Sequence, residues 1–286
     1  MQLNIIIRKF KSLFVVVKKN GIDGFYYALC RNLGFKIKYN SFIDKKKDLI
    51  KDKIIAITNK KIISGFYKST YLSCNTHWGA GFDSSAKLLG LYEQQVQEKI
   101  TTLQKKYALE NIINFGAADG FHIIGLIKNN FFKKGAAFEI STKGQEYLQE
   151  NIEKNNLAEK IKVFGEANFV NATEYFDKDN LNKILYLVDI EGEEFSLFNE
   201  SNLKFFKNSF LIIENHHFLI NDKSLIKKFF DLLNENFNLE ILHNSGRNPF
   251  LIKEIENLDD DEKWLIMGEG RPRTMEWLVC VPKNSN

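Results

Sequence analysis

The sequence predicts a doubly wound α/β domain. Two patterns carry that expectation. From residue 112 onward, short segments that are apolar right through alternate with amphipathic stretches of helical period, as in a parallel sheet covered on both faces. Glycine or acidic residues stand directly after several of these apolar segments, where an open α/β sheet binds its ligands.

The elements follow in order. Residues 1–35 read as two amphipathic helices hinged near Asn20-Gly21, and 45–70 is rich in Lys and Ile. Residues 71–83 form a loop with Gly, Ser and Asn, carrying His77 and Trp78. One long helix is expected over 84–106, capped by Asp83 or Ser84, with Leu88, Leu91, Val96, Ile100 and Leu103 at near-helical spacing. Strands are expected at 112–115, 135–140, 161–164, 184–189, 210–214, 239–242 and 277–281. Helices are expected at 121–129, 143–154 and 223–234, with a short one from 193 to 198. The chain therefore divides into a basic, largely helical extension over 1–83 and an α/β domain over 84–286.

Composition narrows the function. The 286 residues are 44% hydrophobic and 27% charged, which excludes collagenous and disordered chains. No apolar run reaches the roughly 18 residues of a membrane span, and the basic, apolar start lacks a small-residue cleavage site. A cytoplasmic protein is expected. Three scattered cysteines and no CxxC pair argue against disulfides and zinc knuckles. The net charge of +4 hides a basic start: residues 1–70 carry +12, leaving −8 for the rest. Such an arm suits the wet face of amphipathic helices, a peripheral membrane contact or a second copy of the chain. No aromatic-interleaved arginine motif supports nucleic acid.

The residues after the strands are the informative ones. Asn114-Phe115-Gly116-Ala117-Ala118-Asp119-Gly120 turns tightly and lets backbone approach a ligand at a helix N-terminus. It is not a dinucleotide fingerprint, because Ala118 and Phe121 stand where glycines are needed, and Asp119 would repel a diphosphate. Glu139, after the second strand, is placed to accept from both ribose hydroxyls. Gly165-Glu166-Ala167, after the third, sets an acid where an adenine amino group could donate, although either acid alone could be an exposed turn residue. Together the three strand ends describe an adenosine pocket without phosphate, the requirement of S-adenosylmethionine.

The runs INFGAADG, FEIS, VDIEGEEFSLF and LIIENHH resemble class I methyltransferases of the FkbM type, most specifically through Asp189-Ile190-Glu191-Gly192-Glu193-Glu194. The resemblance covers about residues 111–217, with a looser match in WLVCVPK. It departs from that family in FGAADG and in the doubled His216-His217. It implies a Rossmann-like seven-stranded sheet whose last strand is antiparallel, and methyl transfer from S-adenosylmethionine, commonly to oxygens of sugars or small natural products. By position, Gly116, Ala117, Asp119 and Glu139 would hold the cofactor, with Glu166 and Ala167 at the adenine. Asp189 would lie by the methionine moiety or the acceptor.

A hydroxyl acceptor must lose its proton as it attacks, and His216, after the fifth strand, is the expected general base. Asp189, Glu191, Glu214 and His216 could meet around a divalent ion. They serve equally well as hydrogen-bonding groups for the substrate, His217 beside them, so no metal is favoured. Glu93 is a candidate for the cofactor's ammonium group, and its alternative is an exposed helix acid. His122 is expected to be structural or exposed. Arg247, Arg271 and Arg273 are three of only five arginines, a usage that suits planar recognition of a carboxylate or phosphate, as on an anionic sugar or a sugar nucleotide. Trp264 and Trp277 are expected in the core. The sequence thus points to an O-methyltransferase. Its rivals are N-methylation and a non-catalytic binding module.

Overall fold

The structure is a computed structural model that describes residues 26, 42–75, 83–176, 183–269, 271 and 273–285. The helices expected over 1–35, and His77 and Trp78, lie outside the described residues except for Tyr26, which is helical. By internal contacts the chain divides into Met1–Asp52 and Lys53–Asn286. In the first unit the helix Phe42–Thr58 begins, with Lys51 paired to Asp48 at 2.8 Å. No helix among the described residues is long and apolar enough to cross a membrane.

The second unit is built on seven strands: β1 Asn111–Phe115, β2 Lys134–Phe138, β3 Ile161–Phe164, β4 Ile184–Val188, β5 Phe210–Glu214, β6 Phe237–His243 and β7 Glu276–Pro282. Their order is β3-β2-β1-β4-β5-β7-β6. β1 to β5 pair in parallel, and β7 runs antiparallel between β5 and β6. This is the doubly wound, mostly parallel sheet expected from the sequence.

Every residue of β1, β4 and β5 is buried, because successive side chains point to opposite faces and both faces are covered. Ile112, Leu185, Leu187 and Ile212 join one core cluster. Their neighbours Ile113, Tyr186, Val188 and Ile213 join the other, with Phe115. Each large apolar side chain so buried contributes roughly 1.5–3 kcal/mol. The edge strand β6 is largely exposed beyond the buried Phe237, and Ile241 is half exposed.

Two boundaries differ from expectation. The long helix over 84–106 is two helices, Ser84–Leu88 and Gln94–Tyr107. Gly90 breaks it: at φ +75° it lies against Ser64, where a β-carbon would stand 2.1 Å from the carbonyl oxygen. The sheet domain also begins well before residue 84. Ile62, Tyr67 and Leu72 belong to the same core cluster as Ile100 and Ile124. Asn155 clasps the backbone of Tyr71 from both sides at 2.9 Å, and the Ser73 N–H donates to Asn151 at 2.7 Å. Trp277 is core as expected, whereas Trp264 is half exposed against Phe250.

Candidate active site

β2 and β3 lie on one side of β1 and β4 on the other, so the strand order reverses beside the carboxyl end of β1. The turn there is held tightly. Gly116 has φ +79°, and a β-carbon on it would stand 1.7 Å from the Asp189 carbonyl oxygen. The N–H groups of Gly116 and Ala117 donate to the Phe138 carbonyl at 2.9 and 2.8 Å, tying the turn to the end of β2. Ala118 is left-handed at φ 47°, a costly conformation for a residue with a side chain, and its N–H donates to Glu139 Oε2 at 3.0 Å. Ser141 N–H donates to the other oxygen at 2.8 Å. The Glu139 carboxylate is thus fixed in place, and Gly144 makes room for it: a β-carbon there would stand 2.7 Å from Glu139 Cγ.

A cleft of about 630 Å³ opens beyond these strand ends, a size suited to a small-molecule cofactor. Of the residues predicted from the sequence, Gly116, Glu139, Glu166, Ala167, Asp189 and Glu191 line it. Phe138, Ile140, Ile190 and Leu197 supply apolar walls, Ile140 being 68% exposed. The charge is one-sided. Five carboxylates line the cleft (Glu139, Glu166, Asp189, Glu191 and Glu193), and no lysine or arginine does so among the described residues.

Behind Asp189 lies a cluster of acids around one imidazole. His216 is 3% exposed. Its Nδ1 is hydrogen-bonded to Glu194 Oε1 at 3.1 Å, and that oxygen also accepts from the His216 N–H at 3.1 Å. The other Glu194 oxygen accepts from Gly192 N–H at 2.9 Å, so this buried acid joins the turn after β4 to the turn after β5. His216 Nε2 faces Asp189 at 3.7 Å and Glu191 and Glu214 at 3.8 Å. Burial pushes the Asp189 carboxyl up to about 6, aided by the charge of Glu93. Burial and the charges of Asp189 and Glu93 also raise Glu214 well above the usual carboxylate range, against the pull of Arg271. Burial disfavours the His216 cation, but Glu194 and the surrounding acids outweigh it and raise its pKa. An imidazole held toward its cation is a poorer proton acceptor at neutral pH than a free one, which weighs against His216 as a lone general base.

Several predicted residues are engaged elsewhere. Asp119 is turned from the cleft: it pairs with the buried Lys87 at 2.8 Å and accepts from Phe121 N–H at 3.2 Å, closing the helix start. Ala117 is buried beneath the turn. Glu93 is buried, not an exposed helix acid, but His122 at 2.8 Å and Arg271 already hold it. Burial would raise its pKa, yet Arg271 and His122 bring it down to about 2. Arg271 places its three nitrogen groups on Glu93, Glu214 and Glu269, so it offers nothing to an anionic substrate. Arg247 is spent on Glu269 and the Met267 carbonyl, and Arg273 lies 3.9 Å over the Phe218 ring. His217 is exposed and opens a short 3₁₀ turn. His122 is structural, between Tyr67 and Glu93.

Three partners of the predicted residues are not foreseen from the sequence. Lys87 sits between Asp83 and Asp119, each at 2.8 Å. Glu194 positions His216, and Glu269 completes the Arg271 hub. Only Glu194 had a signal, as the last acid of the Asp-x-Glu-Gly-Glu-Glu run.

No protein-family model matches the chain, and no curated protein matches it. The resemblance to FkbM-type enzymes therefore rests on its residues alone. Solved structures with a similar fold include the METTL16 MTase domain, at 14% identity over 81% of this chain and 79% of that one, with a TM-score of 0.48. Cofactor-bound Rv0187 from MTB matches at 10% identity, over 85% of this chain and 98% of that one, with a TM-score of 0.46. M. capricolum TrmK in complex with S-adenosyl-homocysteine matches at 18%, over 66% and 67%, with a TM-score of 0.40. All three likenesses are distant.

Proposed function

We propose that this chain is an S-adenosylmethionine-dependent methyltransferase acting on a hydroxyl group of a sugar or another small metabolite. The observation that carries this is the cleft at the strand-order reversal, lined by five carboxylates and no described basic residue. A diphosphate would be repelled there, whereas a nucleoside bearing a sulfonium and an ammonium group is drawn in. Glu139 accepts from the ribose hydroxyls, Ile140 and Ala167 flank the adenine, and Glu166 accepts from its amino group. Asp189 faces the cationic end.

Methyl transfer is an in-line displacement, so alignment of acceptor and methyl carbon supplies much of the rate. The acceptor oxygen forms a bond to carbon as the carbon–sulfur bond breaks, its electron pair going to sulfur. The acceptor's proton leaves through the cluster of Asp189, Glu191, Glu214 and His216. With Arg271 and Arg247 bound to carboxylates, the acceptor is a neutral hydroxylated compound.

The test is transfer of label from methyl-tritiated S-adenosylmethionine to a panel of sugars, polyols and amines, with products assigned by NMR. Methyl on oxygen is the expected result. Methyl on nitrogen would replace it with N-methylation. Cofactor binding without turnover on any acceptor would favour a binding module.

A further inference from the structure

The geometry points to a divalent-cation site formed by Asp189 Oδ1, Glu214 Oε2 and His216 Nε2. One donor atom from each of these three residues lies within 4.8 Å of the others. Donors about 2.1 Å from a single ion stand roughly 3.0–4.2 Å apart, and the His216 Nε2 separations of 3.7 and 3.8 Å fall in that range. They are too long for hydrogen bonds.

One oxygen in the cluster lacks the partner its burial demands. Asp189 Oδ1 is shielded from solvent and has no hydrogen bond. His216 is 3% exposed, and its Nε2 makes no hydrogen bond among the described residues, while Nδ1 is held by Glu194. Buried polar atoms are ordinarily satisfied, and a cation held between this oxygen and the facing His216 Nε2 would satisfy it. The arrangement behind them is the one metal-binding histidines use. A carboxylate on the far ring nitrogen fixes tautomer and orientation, leaving Nε2 as the ligand. Arg271 occupies Glu214 Oε1, which turns Oε2 inward.

One imidazole and two carboxylates suit a first-row divalent ion such as Mn²⁺ and leave coordination positions open. These open toward the cleft, because Asp189 lines it and Glu191 stands on its rim. What the ion does there rests on the methyltransferase proposal: it binds the acceptor hydroxyl and lowers its pKa. The proton passes to Glu191, the alkoxide attacks the methyl carbon, and the carbon–sulfur pair goes to sulfur. With Nε2 on the ion, His216 is a ligand.

The experiment is Mn²⁺ titration of the full chain, followed by the loss of the free-ion EPR signal, with no cofactor or acceptor present. One Mn²⁺ per chain at micromolar affinity is expected. Asp189→Asn and His216→Ala should each weaken it roughly tenfold to a hundredfold, while Glu240→Gln, a distant surface acid, leaves it unchanged. Asp189→Asn keeps shape and breaks no hydrogen bond at Oδ1, so circular dichroism should show it folded. No binding by the native chain, or binding that Asp189→Asn leaves intact, overturns the inference. A parallel titration with S-adenosylhomocysteine separates the two proposals: Mn²⁺ binding alone removes the methyltransferase and keeps the ion site, and homocysteine-nucleoside binding alone does the reverse.

Discussion

The α-carbon of Gly116 and the carbonyl of Asp189 leave no room between them: a β-carbon on the glycine would stand 1.7 Å from that oxygen. The turn after β1 is thereby pressed onto the end of β4, and the cleft takes its shape from that contact. Gly116→Ala must push the two strand ends apart and hold a side chain at φ +79°. The expected cost is about 2–4 kcal/mol, with loss of measurable S-adenosylhomocysteine binding. Thermal melting and calorimetry check the two parts.

Glu139 and Asp119 should separate binding from stability. Glu139→Ala removes the carboxylate proposed for the ribose and should weaken S-adenosylhomocysteine at least tenfold, about 1.4 kcal/mol. Asp119→Ala strips Lys87 of one of two buried partners and should cost roughly 3 kcal/mol of stability with a smaller effect on affinity. Denaturant melts and calorimetry on both variants decide; the opposite pattern would return Asp119 to the cofactor site.

Much of this was legible in advance because it is local. Five-residue apolar strands announce themselves, and Gly116, Glu139, Glu166 and Asp189 stand where each strand ends. The Arg271 hub was not legible. Its partners Glu93 and Glu214 are 178 and 57 residues away, and pairing at that distance is set by the fold, so a late arginine read as a substrate clamp. Lys87 failed for the same reason, being a lysine in a short, wholly buried helix that folding sets between two acids. The break at Gly90 depends on its contact with Ser64, which no helical period reveals.

The same hub predicts acid sensitivity. Glu93 titrates near 2 in the folded chain, below its unfolded value near 4.5. Its contribution is therefore fully present above about pH 4.5 and is lost as pH falls toward 2. Glu93→Gln should lower stability at pH 7 by roughly 3 kcal/mol and flatten the decline between pH 4.5 and 2, as read by urea melts across that range. Arg271→Lys should not restore the native value, since an ammonium cannot serve three carboxylates in the plane of a guanidinium.

Glu194 touches neither the cleft nor the reacting atoms, yet it holds His216 by ring and backbone. Glu194→Gln should reduce kcat roughly tenfold to a hundredfold while the Kd for S-adenosylhomocysteine stays near the native value. Equal losses in both would mean that it supports the cofactor end instead.

The acidic cleft is proposed to take a nucleoside without phosphates and with an amino-acid tail. Calorimetric titration of the full chain with S-adenosylhomocysteine, and separately with NAD, tests it most directly. Micromolar, one-to-one binding of the former, weakened by Glu139→Ala, with no heat from NAD, is the predicted result. Binding of NAD, or no binding of S-adenosylhomocysteine by a folded chain, would contradict it.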